Sequence, residues 1–279
     1  MSTALDSLID RALAEDVGAG DLTTDAIVPE HARGQAAVVV RERGIICGLE
    51  QAAEVMRRLD PESSMRTLIA DGGRVDDPPA VAATIDASLR ALLTGERTAL
   101  NLLQRLSGIA TTTAEYAAAV SGTGAKLLDT RKTAPGMRAL DKYAVACGGG
   151  VNHRRGLDDA ILIKDNHLLV AGSIAAAVER VRANHPGLPV EVEVDTIEQL
   201  RQALAAGADV VLLDNMDTAV LAQAVSETAG RARLEASGGI TIESIRAIAE
   251  TGVDAISVGA LTHSVRALDI ALEVIPSAS

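Results

Sequence analysis

Seven short segments of this sequence carry residues able to do chemistry. DTRKTAPG (129–136) leaves an apolar run, enters a loop and sets Arg131 beside Lys132. A guanidinium presents a planar fork that suits a carboxylate, and an ammonium presents a compact charge that suits a phosphate. CGGGVNHRRG (147–156) joins three glycines, which permit close ligand approach, to His153, Arg154 and Arg155. ILIKDNH (161–167) puts Lys164 after three apolar residues, where it can contact an anion, act as a Schiff-base nucleophile or simply extend from a strand edge. Glu193 and Asp214 end two successive apolar runs. Such carboxylates bind Mg2+ with waters retained, stabilise a cationic transition state, or pair with nearby cations. SGGI (237–240) and VGALTHS (258–264) place glycines just before helical patterns, where backbone N–H groups and the helix dipole favour phosphate.

The distribution of charge weighs these readings. The chain has a formal net charge of -12, yet residues 131–167 contain seven Lys and Arg against four Asp. All four lysines, Lys126, Lys132, Lys142 and Lys164, fall between 126 and 164. A solvated basic face needs no glycine loops or histidine inside it, so the island reads as a pocket for a small polyanion.

These residues need elements to position them. AKLLDT (125–130), AILIKDNH (160–167), VEVEVD (190–195), DVVLLDN (209–215), RLEASGG (233–239) and AISVGA (255–260) are apolar runs that end in polar residues, with helical patterns between them. Strand–helix alternation predicts an α/β fold with a parallel sheet and right-handed crossovers. Polar residues at the C-terminal end of every strand predict a barrel mouth rather than the single switch point of an open sheet. Six strands rather than eight make that barrel incomplete. Before it, residues 20 to about 108 form a separate unit: a hairpin over Arg33–Gly48, a helix over Leu49–Leu59, and turns at Asp71-Gly72-Gly73 and Asp77-Pro78-Pro79. Residues 85–120 read as helix interrupted near Ser107-Gly108.

Composition removes several functions. Excess negative charge and only two aromatic residues, both Tyr, argue against nucleic-acid binding, which needs cations along a backbone and rings for bases. No run of about 18 uncharged apolar residues is present, so no membrane span is expected. The N-terminal segment reads as an acidic amphipathic helix rather than a leader. Two distant cysteines, Cys47 and Cys147, have no metal-ligand spacing and fit a reducing cytoplasm.

Taken in order, ERTALNLLQRLSGIAT (96–111), the long stretch from DTRKTAPG to ILIKDNH, VEVEVD, LLDN, LEASGG and VGALTHS resemble the quinolinate phosphoribosyltransferase family. The resemblance runs from about 96 to 266 and is most specific over the central forty or so residues. It implies an N-terminal open-faced α/β sandwich (1–108) and a C-terminal incomplete parallel α/β barrel (109–279), with the last helix packing back on the sandwich. It implies synthesis of nicotinate mononucleotide, pyrophosphate and CO2 from quinolinate and phosphoribosyl pyrophosphate. Mg2+ is the one cofactor implied, and no organic cofactor is needed. Arg97, Arg131, His153, Arg154 and Lys164 match quinolinate-binding positions. Lys132, Glu193 and Asp214 match catalytic positions facing the ribosyl pyrophosphate, with Glu193 and Asp214 holding the metal through phosphate and water. Thr130, Ser237, Gly238, Gly239, Val258, Gly259 and Ala260 match phosphate-binding positions. The family works as a homodimer with shared active sites, or a higher oligomer built from it, and Arg97 would reach the neighbouring site. A Schiff-base aldolase using Lys164 leaves the arginine–histidine cluster unexplained. A non-catalytic polyanion-binding protein would bind without releasing pyrophosphate. A molybdenum-transport-associated relative shares only part of the motif set.

Overall fold

The computed structural model describes residues 2–275. It divides into two compact units, one running to Thr112 and including the segment from Val265, the other Thr113–Ser264. The first holds helices α1 (Ser2–Val17) and α2 (Leu22–Ile27), strands β1 (Arg33–Val40) and β2 (Gly44–Ile45), helix α3 (Leu49–Leu59), strands β3 (Ser64–Thr67), β4 (Arg74–Val75) and β5 (Ala80–Ser88), and most of helix α4 (Leu89–Val120). The second contains β6 (Lys126–Leu128), α5 (Arg138–Cys147), β7 (Ile161–Ile163), α6 (Asp165–Ala171), α7 (Ile174–Asn184), β8 (Val190–Val194), α8 (Ile197–Ala205), β9 (Val210–Asp214), α9 (Thr218–Thr228), β10 (Arg233–Ser237), α10 (Ile245–Ala249), β11 (Ala255–Ser257) and α11 (Ala260–His263). Strand β12 (Ile270–Ile275) returns to the first unit.

In the first unit an antiparallel sheet has the order β12-β1-β5-β3, and α3 packs on β3 and β5. Three expectations change here. Arg33–Gly48 is not a hairpin, because β1 pairs with β5 and β12 while β2 pairs with β4. The last element is a strand rather than a helix, since Ile270–Ile275 lies in register with Gln35–Val40. Helix α4 runs unbroken through Ser107 and Gly108. The Ser107 hydroxyl accepts from the Cys47 N–H (3.0 Å) and donates to the Cys47 carbonyl (3.1 Å). Gly108 is there for proximity: a Cβ would lie 2.1 Å from the Arg266 carbonyl oxygen.

The second unit is a six-stranded parallel sheet with the order β6-β11-β10-β9-β8-β7. From β7 to β11 each strand lies beside its predecessor in sequence, which is the stepwise winding of a barrel. The edge strands β6 and β7 are not paired with one another, so the barrel is incomplete; Val151 makes one bridge to Leu128 at that seam. Side chains start several of the helices. Ser173, Thr196 and Asp217 accept from the N–H groups of Ala176, Gln199 and Val220 and so begin α7, α8 and α9, the last two close behind β8 and β9. The core lies between strands and helices, where Val190, Val192, Val194, Val211, Leu213, Leu234 and Ile256 are buried. Each such side chain contributes about 1.5–3 kcal/mol.

Gly108→Ala tests the close approach in the first unit. Helix propensity favours alanine by about 1 kcal/mol. Forcing a methyl against a backbone oxygen costs about 1–3 kcal/mol or more, because no flexible side chain can yield. We expect net destabilisation in urea unfolding; a stabilised variant would show that α4 has room there.

Candidate active site

Period-two geometry selects the side chains that enter the barrel. Residues two apart on a strand share a face. With the valines of β8 turned outward, Glu191 and Glu193 face inward. Leu212 and Asp214 on β9, Glu235 and Ser237 on β10, and Ser257 on β11 do the same. The C-terminal ends of all six strands meet at one cavity of about 390 Å3. Thr130, Arg131 and Lys132 enter it after β6, His153 and Arg154 from the segment between α5 and β7, and Lys164 after β7. Glu193, Asp214 and Ser237 complete the set of expected residues that line it.

A buried ion pair carries this arrangement. Asp129 and Lys142 are 0% and 2% exposed and in direct contact. Asp129 also accepts from the His153 N–H (2.8 Å), and Lys142 donates to the His153 carbonyl (3.0 Å). Burial pushes the Asp129 carboxyl up, against the pull of Lys142 and the His153 N–H. Arg138 ties the two cationic loops from outside, donating to the carbonyls of Arg131 (3.4 Å) and Arg155 (3.1 Å).

The cations inside are incompletely paired. The Nε of Arg131 is closed off from solvent with no hydrogen-bond partner. Arg154 donates to the Ala160 carbonyl at 3.2 Å, and its guanidinium is pushed below its ordinary pKa by burial and by the neighbouring Arg131 charge. Two guanidinium groups held this way lower their energy when a dianion enters. Lys164 instead contacts Glu193, so an anion using Lys164 must share or displace that carboxylate.

His153 has both ring nitrogens engaged. Its Nδ1 accepts from the Arg154 N–H at 2.8 Å. Its Nε2 faces Glu191 (3.2 Å) and Glu235 (3.5 Å). The Glu191 hydrogen bond, assisted by both carboxylate charges, pushes the imidazole pKa up. Burial and the Glu191 charge push Glu235 up to about 7. Glu191, Glu235, Asp129, Lys142 and Ser257 were not among the expected site residues. Alternation in VEVEVD and RLEAS carried a signal for the two glutamates, since each shares a face with an expected residue two positions on. No sequence signal pairs Asp129 with Lys142.

Several expected residues lie outside the cavity lining. Gly238 and Gly239 follow Ser237 with φ of 93° and 59°, and a Cβ on Gly238 would lie 2.2 Å from the Asn215 Oδ1. Val258 is buried. Gly259 precedes α11, and a Cβ there would lie 3.0 Å from the Lys132 side chain, so the glycine leaves room for Lys132. Ala260 begins that helix. Arg97 is exposed on α4, in the first unit. Glu193 and Asp214 offer hard carboxylate oxygens at the mouth, a donor set that fits Mg2+. No helix among the described residues is long and apolar enough to cross a membrane.

Fold and cleft together define an α/β-barrel protein that gathers cations and carboxylates in one cavity at its strand ends. The chain belongs to the quinolinate phosphoribosyl transferase family, whose N-terminal domain matches residues 21–107 and whose C-terminal domain matches residues 109–273. It is 48% identical over 272 residues to the nicotinate-nucleotide pyrophosphorylase [carboxylating] of Mycobacterium leprae, covering 95% of each chain. It is 43% identical over 275 residues to a probable enzyme of the same name from Synechocystis, covering 97% of this chain and 92% of the other. The solved nicotinate-nucleotide pyrophosphorylase of Francisella tularensis superposes with a TM-score of 0.93 at 44% identity, covering 98% of this chain and 96% of that one.

Lys142→Met tests the ion pair beneath the loops. The substitution keeps volume but leaves Asp129 buried without its cation, a change that costs about 3–5 kcal/mol. Urea unfolding should report a loss of that order, and a loss below about 1 kcal/mol would remove the pair from its structural role.

Proposed function

We propose that the protein is a carboxylating nicotinate-nucleotide pyrophosphorylase, converting quinolinate and phosphoribosyl pyrophosphate to nicotinate mononucleotide, pyrophosphate and CO2. The observation that carries this reading is the unpartnered buried Nε of Arg131 beside the destabilised guanidinium of Arg154. Two adjacent arginines short of acceptors suit a ligand with two adjacent carboxylates, as quinolinate has. The family membership supports the same reaction.

In this reading Arg131 and Arg154 orient quinolinate so that its ring nitrogen meets C1 of the ribose, and Lys164, at the C-terminal end of β7, approaches a carboxylate. Lys132 neutralises the departing pyrophosphate. Ser237 and the backbone of Gly238, Gly239, Gly259 and Ala260 receive the 5'-phosphate, where N–H groups at strand-to-helix turns favour an anion. Positive charge develops on the sugar as pyrophosphate leaves, and Glu193 and Asp214 are placed to stabilise it. Mg2+ held by these two carboxylates through phosphate and water would add charge neutralisation at the pyrophosphate. Loss of CO2 leaves an electron pair on C2 beside the cationic ring nitrogen, in a pocket whose cations tolerate that charge.

The decisive assay is incubation of the purified protein with quinolinate, phosphoribosyl pyrophosphate and Mg2+. Nicotinate mononucleotide and CO2 should form together, and chelation of Mg2+ should stop both. Nicotinate lacks the second carboxylate and should react at least about 10³-fold less well in kcat/KM, because it leaves a buried arginine unpaired. Equal use of nicotinate would overturn the substrate assignment.

The same reading includes a homodimer in which Arg97 of one chain, exposed on α4, serves the cleft of its partner. Arg97→Ala and Lys132→Ala should each be nearly inactive. In mixed dimers of the two, one site carries both defects and the other none, so about a quarter of wild-type activity should return on random pairing. No recovery in a preparation shown to contain mixed dimers would sink the shared site and leave the reaction standing.

A further inference from the structure

The barrel is open at both ends, and one carboxyl group faces both openings. At the N-terminal ends of the strands a second cavity, of about 520 Å3, is bounded by Lys126, Ile161, Pro189, Val210, Arg233 and Ala255. Only His153, Arg154 and Glu235 line this cavity and the substrate cleft alike. Of these, Glu235 is the one carboxyl. Glu191, its neighbour across β9, lines the lower cavity alone.

We propose that Glu235 is the acid that returns a proton to the pyridine C2 after CO2 leaves, and that the lower cavity reloads it from solvent. The inference rests on the reaction proposed above. That reaction requires such an acid. Once the C2–carboxyl bond breaks and CO2 departs, its electron pair stays on C2, and nicotinate mononucleotide forms only when C2 gains H+. The Glu235 O–H bond breaks, the proton moves to C2, and Glu235 is left as a carboxylate.

Geometry favours Glu235 as the donor over His153. The Nδ1 of His153 is occupied as an acceptor by the Arg154 N–H, which places the one ring proton on Nε2, directed at the two glutamates. A single Nε2–H then faces two carboxyl groups. Glu191 and Glu235 each keep a buried Oε1 with no hydrogen-bond partner, and two adjacent carboxyl groups with such oxygens are relieved when one of them is protonated. Glu235 is the one that burial holds near neutrality, about 7, with Glu191 raising it and His153, Ser257 and Arg233 opposing. The strands beside it present Leu212 from β9, and Ala255 and Ser257 from β11. A substrate seated in the cleft covers the upper approach, so solvent reaches the spent carboxylate from below.

Single-turnover rapid quench on Glu235→Gln separates the two halves of the reaction. Pyrophosphate release should stay within about threefold of wild type, whereas nicotinate mononucleotide formation should fall about 10²-fold or more, with the C2-carboxylated nucleotide accumulating. Product at the wild-type rate, or an equal fall in both halves, overturns the proposal. If the variant does not fold, the wild-type profile decides. The rate of the CO2-releasing half should fall as pH rises through about 7, as an acid with that pKa loses its proton. A profile flat across that range overturns the proposal. So does a stoichiometric divalent ion retained by the wild type and lost in Glu235→Gln, since the carboxyl would then be a ligand and not an acid. A wild type that releases no pyrophosphate from the two substrates overturns the functional reading itself, and this inference with it.

Discussion

Asp129 and Lys142 are both shut away from water, and the free energy of keeping them there organises the cationic side of the cleft. Removing two ions from solvent costs several kcal/mol each, which only direct contact and further hydrogen bonds can offset. The further bonds go to the backbone of His153, through both its N–H and its carbonyl. The pair therefore fixes the one segment that crosses the open seam of the barrel. That segment in turn delivers His153 and Arg154 inward. A closed eight-stranded barrel would hold such residues on strands; here an ion pair takes the place of the missing strands.

Inside, the chain is arranged against its own comfort. Arg131 and Arg154 repel one another, and Glu191 and Glu235 do the same, with His153 between the glutamates and the arginine backbone. Polar groups left unpaired in a low-dielectric interior are costly, and they persist where a ligand or a proton completes them. The upper half lacks anions and the lower half has one carboxyl too many for a single imidazole N–H. The two deficits are stacked along the barrel axis, one at each cavity.

The outward faces of the strands supply the stability that this interior withholds. Valine and leucine at alternate positions of β8 and β9 pack toward the helices, leaving the intervening positions free to carry charge. Capping residues at the starts of α8 and α9 keep the connections short, so the strand ends, rather than long loops, hold Glu193 and Asp214. Side chains on strand ends lose little further freedom on binding, which favours a site that must align two anions.

Local sequence determined the parts of this protein that depend on near neighbours. Six apolar runs ending in polar residues became the six parallel strands, because side-chain alternation and short crossovers leave one economical way to bury them. Arg131, Lys132, Lys164, Glu193, Asp214 and Ser237 were legible because each stands at the end of such a run. Contacts between distant residues were not legible. Gly108 looked like a helix break and is instead a point of contact with the Arg266 backbone, which no local rule can distinguish. Arg33–Gly48 looked like a hairpin, yet β1 pairs with a strand more than two hundred residues away. Glu191 and Glu235 stood in plain view inside strand patterns, but their meaning depends on His153 arriving between them from another segment. Only the tertiary structure decides that, because burial and unmet hydrogen bonds are properties of an assembled interior.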